Sequence, residues 1–514
     1  MQINKLMTNH VARLFLNRGK IMHYFITSQE NPTPSAIEIA QMQRVHLFEA
    51  IGQEAKIIEV EYNLWHDDAQ ASLQSADSVI NLFQYYQKLD LKTEVDNDDE
   101  LIDQILHSSN YDVQDKIAYR DGKKRLQIVL RENRLYSANY YDRYGFMDRA
   151  DYYDDGCLAY SEFFEDKGRV VLRQYYDNSG KPKIMMHYRG SDDNQPVLTL
   201  VQLNEDGEWL DFDDLAEFRA HFLDEICQKD PKAVLYADRS DYTLDAFKLM
   251  KAPNPRYMVF HSALTTDGQF DGELFEIYQG IQEMLKNGSL TGVISSTDQE
   301  ADDAANLFDT DHSYAIPVTF VKKDIVPVEF KDRKPYSLIA VARLDAVKRL
   351  DHVIRAAVKL HDKFPELTLT FYGYGDAQTE PKLRELVKKL QAENYISFGG
   401  FKQDLTEVYN HAWLEVLTSE YEGFAMALLE AQEHGCPAVS YDINYGPSEI
   451  VMNNYNGKLV PAGDEAALVS ALEFLLSHPT IIEEYSKNAY QSRKKYSFDN
   501  VANAWNNFLK LENI

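Results

Sequence analysis

The chain has 514 residues, 44% of them hydrophobic and 26% charged, a globular composition long enough for two or three cores. Its formal net charge of -29 repels polyanions and makes nucleic acid an unsuitable partner. Three scattered cysteines, Cys157, Cys227 and Cys436, offer neither a disulfide framework nor a thiolate metal site, and a reducing, cytoplasmic compartment fits them.

Residues 1–21 read as a leader ahead of the first strand; their apolar patch is broken by Arg13 and is too short for a secretory segment. No later run reaches the roughly 18–20 apolar residues of a spanning helix, so membrane contact is at most peripheral, at the inner face of the cell membrane. "IMHYFITS" at 21–28 has a buried-strand pattern and "NPTPS" supplies a loop. "AIEIAQMQRVHLFEAIG" then shows helical spacing up to Gly52, and "AKIIEVEYN" is the next strand. Strand, helix and strand in this order open an α/β parallel-sheet domain. Residues 127–202 differ, with short alternating runs broken by "YDRYG", "YDDG", "EDKG" and "YDNSG". Their glycines, Gly145, Gly156, Gly168 and Gly180, recur at hairpin spacing, which predicts an antiparallel β-meander inserted into the first α/β domain. Its tyrosines serve either as cross-strand pairs or, as a set, as a surface for a polymer or a partner protein. The α/β rhythm returns from "DPKAVLYADRS", and a second α/β unit starts near "YSLIAVARLDAVKRL". "FDNVANAWNNFLKLENI" closes the chain as an amphipathic helix. Two Rossmann-like halves facing a cleft place a ligand at the carboxyl ends of the strands.

Within "EYEGFAMALLEAQEHGCP", Phe424 to His434 read as a helix stopped by Gly435 and Pro437. Glu422 then stands at the helix entrance and Glu430 about two turns inside, among small and apolar neighbours. A carboxylate in such surroundings needs a partner, and a ribose diol is one. The free N-H groups at Gly423 to Met426 suit an anionic or hydroxyl-rich ligand.

"EGFAMALLE" resembles the E-x7-E motif of retaining GT-B glycosyltransferases, glycosyltransferase family 4, and "VARLDAVKR" resembles that family's Arg and Lys pair. The resemblance implies a GT-B fold with the meander inserted in the N-terminal domain. It divides the chain into 1–65 and 206–330 as the first Rossmann-like domain, 66–205 as the insertion, 331–495 as the nucleotide-sugar domain, and 496–514 as a helix returning to the N-terminal domain. It also implies that Arg343 and Lys348 hold a UDP-sugar's diphosphate, that Glu430 holds the ribose, and that Glu422 lies beside the transferred sugar. His261 in "VFHSA" matches a histidine facing that sugar. Ser35 and Ala36 fall in the loop approaching the diphosphate, and Gly373 and Gly375 fall on the nucleotide side. Gly423, Phe424, Ala425 and Met426 supply the helix-end contacts, with Ala425 where the pattern commonly has glycine. Tyr445, Gly446 and Ser448 lie past the next strand, on the cleft side. No metal or other cofactor is implied.

Two bacterial kinds of this family carry such a meander. One is the protein O-N-acetylglucosaminyltransferase of serine-rich adhesins, paired with a related non-catalytic subunit; "SAIEIAQ" is closer to it. The other is the wall teichoic acid α-glycosyltransferase; "YDINYGPSEI" is closer to it. Only "GKKRLQ" and "KDRKPYS" offer basic clusters for a polyphosphate, so charge favours GlcNAc transfer to a Ser/Thr-rich polypeptide over transfer to a teichoic acid polymer. A non-catalytic partner subunit of a glycosyltransferase complex is the alternative of another class, although all four motif residues are present; a related non-catalytic subunit or a second copy of the chain is the protein partner expected. A metal-dependent transferase needs an Asp-x-Asp set, for which Asp309 to Asp311 is the candidate.

Overall fold

The computed structural model describes residues 21–31, 34–64, 69, 73, 78–89, 98–190, 196–322 and 325–514. The leader expected over residues 1–21 lies, except for Ile21, outside them. The chain divides into two compact units, one comprising the chain up to Pro34 together with Ala55–Asn254, the other Ser35–Glu54 with Pro255–Ile514. The Ala36–Ala50 helix and the strands after Pro255 fall in the second unit.

In the first unit, Met22–Thr27 is fully buried and pairs in parallel with Val234–Ala237. Strand Glu54–Glu59 pairs in parallel with Val79–Asn81. Ten further strands, from Asp112–Gln114 to Glu208–Phe212, form one antiparallel sheet in which each strand pairs with the next. The sheet runs beyond residues 127–202 at both ends. Its first strands are only three and four residues long, too short to show an alternating pattern. Gly145, Gly156, Gly168 and Gly180 all have positive φ, between 73° and 97°, a region that glycine enters without a Cβ clash. The tyrosines between these turns are largely cross-strand pairs. Tyr152 lies opposite Tyr160, with the rings stacked at 4.6 Å, while Tyr175 is buried between Tyr62 and Phe83. Tyr144, at a hairpin tip, is 67% exposed.

The second unit holds the parallel strands Arg256–Val259, Gly292–Ser295 and Ser313–Ala315, and a separate six-stranded parallel sheet. In that sheet Ser337–Val341 pairs with Thr368–Tyr372 on one side and with Leu414–Leu417 on the other. Ile396–Gly400 flanks the former, and Ala438–Asp442 and Gly457–Pro461 flank the latter. Strand order therefore reverses between Ser337–Val341 and Leu414–Leu417, and ligands of open α/β sheets bind beyond the carboxyl ends at such a point. Both sequence motifs leave from those two ends. The core beneath them is a continuous apolar cluster including Leu338, Ala340, Val353, Leu369, Leu414, Val416, Leu428 and Val439.

The last helix, Phe498–Glu512, packs on Ala36–Ala50 through Trp505, whose ring meets Phe48 edge-on at 5.0 Å and lies under the Arg44 guanidinium. Glu512 accepts hydrogen bonds from Tyr257 and Tyr314. No single helix among the described residues is long and apolar enough to cross a membrane. No disulfide joins any of the three cysteines to another. Trp505 is 3% exposed, so Trp505→Ala is expected to cost about 3–5 kcal/mol, measured by denaturant unfolding of the full chain.

Candidate active site

The segment after Leu414–Leu417 carries the first glutamate. Glu422 Oε1 receives the Lys348 ammonium at 2.7 Å and the Ser419 hydroxyl at 2.6 Å. Lys348 and Glu422 side chains are 14% and 15% exposed, so this ion pair is shielded and geometrically fixed. The loop that carries Lys348 is itself tied to the glutamate loop. Glu420 N-H donates to Val347 O, and the Thr418 hydroxyl donates to the carbonyls of Lys348 and Arg349. On the far side, Glu422 N-H donates to Asn444 O and Glu422 O accepts from Tyr445 N-H. The Asn444 side chain reaches Gly268 O, and the Tyr445 hydroxyl donates to Asp303.

Gly423 explains why a glycine follows Glu422. A Cβ there would lie 2.5 Å from the carbonyl carbon of His261 and 2.8 Å from Ser262 N. The motif thus brings Gly423, next to Glu422, directly against the segment that follows strand Arg256–Val259, as close as two backbones allow. Gly446 serves similarly one loop on, where a Cβ would meet Phe424 O at 2.0 Å. Phe424 is buried and meets Tyr496 edge-on.

Helix Met426–Glu433 starts after Ala425, which adopts φ 65° and ψ 58° and is 5% exposed. This left-handed conformation costs an alanine about 1 kcal/mol, which accounts physically for glycine being common at that place. Glu430, the fifth residue of this helix, is about one turn inside it and partly buried. The Tyr409 hydroxyl donates to its Oε2 at 3.1 Å. Burial pushes the Glu430 carboxyl up to about 7, against the stabilising Tyr409 bond and with Glu433 adding to the rise.

Arg343 leaves strand Ser337–Val341 with its side chain 64% exposed and paired to Asp345 at 3.1 Å. Unlike Lys348, it keeps an open face for a ligand. Gly373 and Gly375 pack the next strand end onto this segment, since Cβ atoms there would meet Ala342 O at 1.9 Å and Leu344 Cβ at 3.0 Å. Ala342 N-H and Leu344 N-H donate to the carbonyls of Tyr372 and Tyr374. These glycines therefore position the arginine segment by close backbone approach.

Ser35 and Ala36 stand at the start of helix Ala36–Ala50, where Ser35 N-H donates to Glu38 Oε2 at 2.6 Å. The bonds just described bring together Lys348, Glu422, Gly423 and His261; those of Ser35 stay within its own helix. Asp309, from the Asp-x-Asp triplet, terminates helix Asp298–Phe308 and pairs with Lys286. Arg333, the middle cation of "KDRKPYS", is 2% exposed and donates to the carbonyls of Tyr409, Ala412 and His434, so it belongs to the core and not to a basic track. Ser419, Tyr409 and Asn444 are the partners that sequence reasoning missed. Ser419 lies three residues before Glu422, the one local signal available; Tyr409 and Asn444 arrive from other elements.

Residues 321–493 match the Glycosyl transferases group 1 family. The fold is GT-B, and the likeness to that family lies over the six-stranded sheet that carries the switch point. The particular likenesses are of two kinds. The UDP-N-acetylglucosamine--peptide N-acetylglucosaminyltransferase GtfA subunit of Streptococcus gordonii is 34% identical over 202 residues, 38% of this chain and 39% of that protein. The poly(glycerol-phosphate) alpha-glucosyltransferase of Bacillus subtilis (strain 168) is 22% identical over 295 residues, 57% of this chain and 43% of that protein. The matched stretch thus spans about two fifths of the length of either relative. The fold is also that of a crystal structure of S. aureus TarM, a mutant in complex with fondaparinux, alpha-GlcNAc-glycerol and UDP. It superposes with a TM-score of 0.81 at 17% identity and covers 95% of this chain and 99% of that one.

A raised folded-state carboxyl stabilises the fold below its unfolded value, and that contribution is lost as pH rises through the folded value. For Glu430 the window runs from 4.5 to about 7. Glu430→Gln should therefore gain stability over wild type progressively across that window, by on the order of 2–3 kcal/mol at its upper end, read from unfolding at a series of pH values. Gly423→Ala should force the glutamate loop off the His261 backbone; the expected outcome is at least a 10-fold loss of turnover with the fold retained, measured by transfer assay and circular dichroism.

Proposed function

We propose that the chain is a retaining hexosyltransferase that moves a sugar, GlcNAc in the favoured reading, from a UDP-sugar to Ser/Thr hydroxyls of a serine-rich polypeptide. The observation that carries the reading is the clamped arrangement at the switch point. Glu422 is fixed by Lys348 and Ser419, its neighbour Gly423 is set against the His261 backbone, Arg343 stands open, and Glu430 lies about one turn inside the following helix. Arg343 and Lys348 then bind the diphosphate, Glu430 accepts from the ribose hydroxyls, and Glu422 and His261 border the transferred sugar. Ser35, Ala36, Gly373 and Gly375 belong to the donor's surroundings, and the N-H groups of Gly423 to Met426 add hydrogen bonds.

In this scheme the acceptor hydroxyl attacks the anomeric carbon on the leaving-group side. The bond to the diphosphate oxygen breaks, and that oxygen takes the hydroxyl proton. Fixed cations and helix-end dipoles neutralise the growing charge without a metal, and positioning supplies much of the rest. The S. gordonii relative is named a subunit, and a related partner subunit forms part of this reading. A cytoplasmic location, with at most peripheral membrane contact, fits three cysteines with no disulfide among them.

A second reading is transfer to poly(glycerol or ribitol phosphate). It is favoured by the longer alignment with the B. subtilis relative, and disfavoured by a net charge of -29. The two separate in one assay with UDP-GlcNAc and UDP-glucose, EDTA present, and either a Ser/Thr-rich peptide or the polyphosphate as acceptor. The expected result is transfer to the peptide, lost about 100-fold or more in Glu422→Gln and in Arg343→Ala. Transfer to the polyphosphate alone selects the second reading, and turnover that survives both substitutions refutes the assigned roles.

A further inference from the structure

Residues Ala346–Lys348 form one turn of 3-10 helix, and helix Leu350–His361 starts directly after it, with Arg349 as the joint. Arg349 takes φ 48° and ψ 39°, a left-handed conformation that a residue with a Cβ keeps only when its surroundings hold it there. Side chains on both sides do so. The guanidinium donates to Glu420 Oε1 at 2.7 Å and to His352 Nε2 at 2.7 Å. The Thr418 hydroxyl lies 2.9 Å from Lys348 O and 3.0 Å from Arg349 O and shares its one hydrogen between them. The Arg349–Glu420 pair is open to water and salt, which weaken it, whereas Thr418 is 1% exposed. Buried in this way, its hydroxyl has exchanged water for the two carbonyls, and they have exchanged water for it.

We infer that Thr418 is a positioning residue of the donor site: by gripping the carbonyls of Lys348 and Arg349, its hydroxyl fixes the turn that presents the Lys348 ammonium to a nucleoside diphosphate. It rests on the reading of Lys348 as a residue that binds the diphosphate. The next hydroxyl along the chain does the complementary work. Ser419 donates to Glu422 Oε1 at 2.6 Å, the same oxygen that receives the Lys348 ammonium at 2.7 Å. Two successive hydroxyls just past strand Leu414–Leu417 thus set the two sides of one ion pair, Thr418 the cation through its main chain and Ser419 the carboxylate directly. An ammonium on a four-carbon stem is mobile, and fixing its main chain as well as its tip leaves less freedom to lose when a ligand binds. Without the Thr418 hydroxyl, two carbonyls lose a buried donor and the turn is free to leave the left-handed conformation of Arg349. Ordering that turn then falls to the ligand, at the expense of affinity.

The test is binding of UDP to the full chain without acceptor, followed by ligand-observed NMR so that weak variants stay readable, with circular dichroism confirming the fold. Thr418→Val, which keeps the side-chain shape and removes the hydroxyl, should weaken UDP binding about 5- to 10-fold. Thr418→Ser, which keeps the hydroxyl, should stay within about 2-fold of the wild type. Thr418→Ala should weaken binding as Thr418→Val does, and keeps the test open should Thr418→Val not fold. A double-mutant cycle with Lys348→Ala separates positioning from a merely structural role: in that background Thr418→Val should change UDP affinity by less than about 2-fold. The inference is overturned if Thr418→Val binds UDP as the wild type does, if Thr418→Ser is as weak as Thr418→Val, or if the loss is undiminished in the Lys348→Ala background. Unchanged affinity in Lys348→Ala itself, or no binding of UDP to the wild type, would instead remove the donor-site reading and the inference with it.

Discussion

The site depends on one steric constraint, the contact between the Gly423 backbone and the His261–Ser262 peptide. A side chain at Gly423 would overlap the His261 carbonyl carbon at 2.5 Å. Everything around that contact is pinned by backbone hydrogen bonds in both directions, from Val347 to Glu420 and from Glu422 to Asn444 and Tyr445. The carboxylate of Glu422 consequently has little freedom left, and Lys348 and Ser419 remove what remains. A group held in this way loses no further entropy when a substrate arrives, which is the physical content of preorganisation.

Charge is placed with the same economy. Despite an excess of 82 acidic over 53 basic residues, the carboxyls that matter most lie inside. Glu415, Glu430 and Glu433 are all raised by burial, and the hydrogen-bond donors found for them are neutral: the N-H of Val341, the hydroxyl of Tyr409 and the N-H of Lys322. Neutral donors lessen the desolvation cost without introducing a buried cation that would compete with a ligand. The cations divide accordingly, with Arg333 spent on carbonyls, Lys348 on Glu422, and Arg343 left largely exposed. Burying these carboxyls costs stability, a cost that functional sites commonly carry.

Local patterns were the legible part. The hairpin glycines announced the meander because a two-strand turn needs positive φ, and each of the four adopts it. Gly435 and Pro437 announced the stop of helix Met426–Glu433 for the same kind of reason. The edges of the meander were not legible: a strand of three residues such as Asp112–Gln114 is too short to display a period. The tyrosines were ambiguous, since alternation alone does not say whether Tyr152 faces a neighbour or a partner; the register opposite Tyr160 decides it.

The sequence by itself determined the alternation of strands and helices and the turn positions, because spacing along one helix or loop is a local property; Arg343, Lys348, Glu422 and Glu430 stood out only through their resemblance to a family motif. Tertiary structure decided which groups they answer to. Tyr409 reaches Glu430 across 21 positions, Glu415 reaches Val341 across 74, and Gly423 meets His261 from a different sheet. Those contacts form only when separate strands end at the same edge, and strand order is set by burial of the whole apolar core, to which no short stretch of sequence bears witness.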